Sequence, residues 1–236
     1  MKNNLLKNPK VKVSLNKQQI KIIANIAMLI DHVSLILISN ETLLYTVGRS
    51  VGRIAFPVFA FFIADGYSKT TNVRKYIGRL AILAVISQLP FYLMVETFKL
   101  NVCFTLMLGL VLIWATDSII KTNKKTVVYL LYCLLVFIFG IIAQALSFDY
   151  GYCGVTTIFL FYTIPKLFKS KFITIMIVWV FLVMYDTSEV MALFGLLLLL
   201  LYNEKKTIKK ISKNHYDYCF YPVHLIILDA LKFIIL

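Results

Sequence analysis

Apolar residues in this chain come in continuous blocks of about 15–22, broken by short polar connections rich in lysine. A helical block of that length matches the hydrocarbon thickness of a bilayer. Transmembrane barrel strands would alternate apolar and polar positions, and these blocks do not. The pattern predicts an all-α, polytopic membrane protein of about nine spans, at 20–39, 51–67, 76–95, 102–117, 126–146, 152–168, 172–185, 190–202 and 217–235. No polar stretch is long enough for a separate soluble domain, so residues 1–236 read as one transmembrane unit with a basic tail over 1–19. The run after that tail ends without a small-residue cleavage site and reads as a retained first span.

Charge adds an orientation. The chain is 60% hydrophobic yet carries a formal net charge of +14. In a soluble protein that excess would suggest nucleic acid. Here the lysines sit in alternate connections, so no nucleic-acid partner is expected. The tail holds Lys2, Lys7, Lys10, Lys12 and Lys17, and basic clusters recur after the second, fourth, sixth and eighth blocks. The connections between them are nearly free of lysine. The positive-inside rule then places the N-terminus inside and the C-terminus outside a bacterial plasma membrane. The tail and residues 204–213 are expected to touch anionic lipid. No internal repeat is visible, unlike many carriers built from inverted repeats.

Polar groups inside the blocks carry the functional signal. Asp31 and His32 interrupt IKIIANIAMLIDHVSLILIS (20–39). Ionisable residues at that depth are costly unless paired or wetted, which makes them functional candidates. Lys21 precedes His32 by eleven residues, about three turns, so both side chains share a face and lie about 16 Å apart along the axis. Lys21 reads equally as a lysine snorkelling to the interface. Arg49 and Arg53 are one turn apart and would share a face; they could neutralise Asp31 or hold an oxyanion. Pro57 weakens the helix behind them, and Asp65 reads as an interface residue.

Ser87, Gln88, Asn101, Thr105 and Gln144 either line a wet cavity or join helices by hydrogen bonds. Tyr150 and Tyr152 read as interfacial aromatics. In the last block Tyr221 and His224 lie three residues apart, with Asp229 beyond, while His215 reads as solvated. Cys103, Cys133, Cys153 and Cys219 lack metal-ligand spacing, and no metal is expected; a Cys103–Cys153 disulfide stays open beside buried free thiols. Two intramembrane histidines, an acid and two arginines suit proton handling. The residues alone leave open an acid/base enzyme and a proton-coupled small-solute or lipid carrier, with a non-catalytic assembly factor as a third reading.

Six stretches in order, IKIIANIAMLIDHV, GRIAFPVFAFFIADGY, YIGRLAILAVISQLPF, NVCFTLMLGLVLIW, YGYCGV and YCFYPVHLIIL, resemble TraX-type membrane proteins. That family is named for the enzyme that acetylates the N-terminus of F pilin, and it is similar in turn to wider membrane acyltransferases, the acyltransferase-3 family among them. The resemblance implies an acetyltransferase moving an acetyl group from cytoplasmic acetyl-CoA to an amine or hydroxyl outside, on a peptide N-terminus, a pilin-like protein or a glycan. It implies His32 as the base, a role in the site for Arg53 and a looser match at His224. On chemical grounds Asp31 or Asp229 would pair with His32 and Arg49 or Arg53 would hold the oxyanion, which completes the expected catalytic set. Lys21, Lys75, Arg79 and Tyr221 are expected to contact the acyl-CoA.

Overall fold

The computed structural model describes residues 14–120, 125–206 and 216–235. His215 and most of the basic tail fall outside that range. The described residues form helices throughout, with no strand beyond two isolated backbone bridges. In chain order they are α1 (Lys17–Leu37), α2 (Leu43–Gly52), α3 (Ala55–Lys69), α4 (Val73–Val95), α5 (Val102–Ile120), α6 (Lys125–Ala145), α7 (Gly151–Phe168), α8 (Lys171–Tyr185), α9 (Ala192–Leu200) and α10 (Tyr216–Ile235). A 3-10 segment, Thr187–Met191, leads into α9. Among the described residues five units are long and apolar enough to cross a membrane: α1, Leu43–Lys69, α4, Val102–Ile119 and Val127–Ala145.

Polar residues at the block edges start the helices. Asn16 and Gln19 form a reciprocal capping box on α1, each side chain taking the other's backbone N–H. Thr42, Asn72 and Ser170 cap α2, α4 and α8, each satisfying a first-turn N–H that has no helical partner.

The second unit differs from the sequence reading of one span at 51–67. Helix begins at Leu43, breaks at Arg53–Ile54 and resumes at Ala55, over 27 residues in all. Pro57 accounts for the break: it has no N–H, and its ring excludes the carbonyl four residues back, which belongs to Arg53. Pro57 therefore sits in the first turn of α3, where its missing donor costs nothing.

α3 is apolar on nearly every side and so occupies the middle, packed on α1, α5, α7 and α9. Phe56, Val58, Phe62, Leu110, Ile158 and Leu196 form part of the core around it. Gly195 lets α9 approach the break, since a Cβ there would collide with the Ile54 carbonyl. α10 returns to pack on α1 and α4.

One end of the bundle gathers Lys17 and Lys69 on Asp65, with Leu15 bonded through its backbone to Leu201 and Asn203. Asp65 is thus paired with two lysines at this end. At the other end Lys232 meets Glu96, and Leu100 bonds to Ser147 and Asp149. Exposed apolar side chains, such as Val85 and Leu89 on α4 and Leu130 and Phe137 on α6, cover the outside between the two ends, as expected of a surface facing lipid.

Candidate functional site

His32 and His224 meet inside the bundle. α1 carries the first and α10 the second; both are buried, and Nδ1 of His32 lies 2.8 Å from Nε2 of His224. The ring planes differ by 2° and the centroids are 5.0 Å apart. That separation equals two ring radii plus the hydrogen bond, so the rings lie edge to edge in one plane rather than face to face. The second nitrogen of His224, Nδ1, lies 2.8 Å from the Phe220 carbonyl. Tyr221 packs edge-on against His224 at 5.6 Å.

Asp31 immediately precedes His32 on α1 and so points about 100° away from it. Its Oδ2 takes an ion pair from Arg49 at 2.7 Å and lies 4.0 Å from Nε2 of His32. The second distance is too long for a hydrogen bond. A Cβ at Gly52 would collide with the Asp31 side chain; glycine there is what lets α2 lie close enough for Arg49 to reach. The expected alternative partner of His32, Asp229, makes no hydrogen bond with it, and both of its oxygens are buried without one. His32 is held by an imidazole rather than a carboxylate.

Arg49 and Arg53 have different partners. Arg53 sits in the break after α2, and the change of backbone direction turns it to Glu189 at 3.0 Å and the Tyr150 hydroxyl at 3.4 Å. Glu189 precedes an apolar block, where acids are usually solvated, yet it is 1% exposed. Tyr150, read from sequence as an interfacial aromatic, stacks on Phe56 at 3.8 Å. Its neighbour Asp149 lies in the loop before α7; burial raises its carboxyl pKa, opposed by the charges of Lys99 and Arg53. The signal that could have found Glu189 was charge balance, because two arginines near one intramembrane acid leave a cation to be matched. Oδ1 of Asp31 and Oε2 of Glu189 are both buried with no hydrogen-bond partner.

Towards the Lys17 end a cavity of about 250 Å³ opens among α1, α3, α4, α5 and α10. Lys17, Lys21 and Arg79 contribute its charges, and Asn25, Met28, Cys103 and Tyr221 are among its other lining residues. Lys21, Asn25, Met28 and His32 recur every three to four residues, so they form one stripe along α1. Three of the four residues expected to contact acyl-CoA, Lys21, Arg79 and Tyr221, therefore line one space. Lys75 does not: it is exposed in the first turn of α4. Gln88 and Asn101 join helices, with Asn101 donating to Gln88 at 2.9 Å and to the Ala84 carbonyl at 2.8 Å. Thr105 donates to the Asp149 carbonyl. All four cysteines are free, Cys103 and Cys153 buried.

An all-helical membrane protein with its ionisable groups gathered along an internal seam, from a basic-rimmed cavity to a histidine pair and two arginine–acid pairs, is the class this geometry defines. The chain belongs to the TraX protein family, whose model matches residues 16–232. It is also 28% identical, over 91% of its length and 94% of the relative's, to a probable fimbrial assembly protein FimC, serogroup H1, of Dichelobacter nodosus. No solved structure matches it.

Proposed function

We propose that this chain is an integral membrane acetyltransferase that carries an acetyl group from cytoplasmic acetyl-CoA to an amine or hydroxyl on the far side of a bacterial plasma membrane. One observation carries the reading: the cavity with Lys21 and Arg79 among its lining residues reaches Tyr221 and Met28, each about one helical turn from the histidine pair. The Lys21–His32 rise of about 16 Å is comparable to an extended pantetheine arm. Lys17, Lys21 and Arg79 would hold the CoA phosphates through charge-assisted hydrogen bonds, with Lys17 in the place expected for Lys75. The thioester would then stand beside His32.

In the transfer step the acceptor nitrogen or oxygen attacks the thioester carbonyl. His32 takes the acceptor's proton as the new bond to carbon forms. The carbon–sulfur bond breaks, and the proton passes from the imidazolium to the departing thiolate, releasing CoA. Asp31, 4.0 Å from Nε2, stabilises the transient imidazolium by its charge. Arg49 is the better candidate for the developing oxyanion. Its guanidinium has donors to spare beyond the one on Asp31, whereas Arg53 is turned to Glu189 and Tyr150.

The reading includes nine passes, with the N-terminus inside and the C-terminus outside. The name of the fimbrial relative favours a pilin-like or peptide acceptor. The test is purified protein in detergent, assayed for acetyl-CoA binding and for thiol release with candidate acceptor peptides. Thiol release without any ion gradient is expected, and His32→Ala should abolish it in a folded, inserted protein. Normal turnover by that variant would end the assignment. Solute accumulation in vesicles without CoA would favour a proton-coupled carrier instead. A C-terminal reporter should read as external.

A further inference from the structure

The hydrogen bonds around His224 are directional. The Phe220 carbonyl accepts and cannot donate, so Nδ1 of His224, 2.8 Å away, carries a proton. The ring of His224 packs among Phe220 at 4.9 Å, Tyr221 at 5.6 Å and His32 at 5.0 Å, and no carboxylate among the described residues pairs with it. An imidazolium buried there without an acid would be costly. A neutral imidazole has one N–H and one lone pair, so Nε2 of His224 is an acceptor. The 2.8 Å contact to His32 then needs its proton from His32, on Nδ1. The coplanar rings place that N–H in line with the lone pair, which lies in the plane of the His224 ring.

We propose that His224 is a positioning residue that fixes the tautomer of His32: it holds the proton on Nδ1 and leaves Nε2 bare, facing Asp31. The chain of bonds runs from the Phe220 carbonyl through His224 to His32. It does for a buried membrane histidine what a carboxylate or carbonyl does elsewhere, setting one ring nitrogen by the bond made at the other. Only the naming of Nε2 as the proton-accepting atom rests on the transferase reading; the tautomer itself does not.

The experiment uses full-length protein labelled with 15N-histidine in detergent micelles. The chain has three histidines, so single substitutions assign the signals. Wild type is expected to show His32 protonated at Nδ1 with Nε2 bare. His224→Gln places its amide oxygen where Nε2 stood and its NH2 on the Phe220 carbonyl, so it should preserve that tautomer and most of the turnover. His224→Leu removes the acceptor, and the His32 signals should shift towards protonation at Nε2, the form free histidine favours. In that variant kcat should fall by about 100-fold, the lower end of what a positioned base supplies, with KM for acetyl-CoA unchanged. Wild-type His32 protonated at Nε2 would overturn the proposal, as would His224→Leu and His224→Gln giving the same His32 spectrum. Should no transfer be detected at all, the spectra still decide the tautomer, so failure of the transferase reading and failure of this one are told apart.

Discussion

Two arginines four residues apart each pair with an acid, and the two pairs differ in what surrounds them. Arg49 and Asp31 keep 26% and 18% of their side chains exposed and stand beside Nε2 of His32. Arg53 keeps 24%, but its partner Glu189 keeps 1% and faces the Tyr150 hydroxyl on the other side of the break. The first pair is partly exposed on both sides and lies next to a histidine. The second is dry on its acid side, and it ties the break to the segment before α9. Similar pairs therefore sit in different settings: one stands beside a histidine, and the other spans the break between α2 and α3.

That contrast can be broken by experiment. The largest effect is expected from Arg53→Ala, which leaves the buried Glu189 carboxylate without its cation and should cost about 3–5 kcal/mol of stability, read as a lowered unfolding temperature in detergent. A small shift would mean that Glu189 is not dry and that the two pairs are alike. Next is Arg49→Ala, which should lower kcat about 10²–10³-fold if its guanidinium meets the oxyanion, with less loss of stability because Asp31 is 18% exposed against 1% for Glu189. A stability loss as large as that of Arg53→Ala, with turnover unchanged, would reverse the two roles.

Gly52→Ala is third. The added Cβ collides with Asp31 and should cost about 1–3 kcal/mol by overpacking, with turnover falling as Arg49 loses its reach. The smallest effect separates two lysines. Lys21→Ala should raise the KM for acetyl-CoA about 10-fold, roughly the worth of one charged hydrogen bond, whereas Lys75→Ala, outside the cavity, should leave it unchanged. Equal effects of the two would move the donor site off the cavity.

Much of the frame was legible in the sequence because a bilayer enforces it. Backbone groups in lipid must bond within their own helix, so continuous apolar blocks become helices, and the caps at Asn16, Thr42, Asn72 and Ser170 lie at block edges. His32 and His224 could be singled out because ionisable groups in such blocks are costly. Pro57 announced a weak helix, although the break falls four residues earlier, at the carbonyl its ring excludes. Glu189 was not legible as a site residue. It precedes an apolar block as loop acids do, and only its burial distinguishes it. Lys75 was indistinguishable from Lys21 and Arg79 by type, since membership of a cavity depends on which way a helix is rotated.

The amino-acid order alone determined that this chain forms apolar helices and which polar residues sit at a cost within them. The tertiary structure alone decided which of those residues meet. His32 and His224 are 192 positions apart in sequence, and Arg49 and Arg53 are four apart yet diverge. The physical reason is that composition and periodicity act within one helix, whereas partners are chosen by the rotation and close approach of helices, which small residues at Gly52 and Gly195 and the Pro57 break set for the whole bundle.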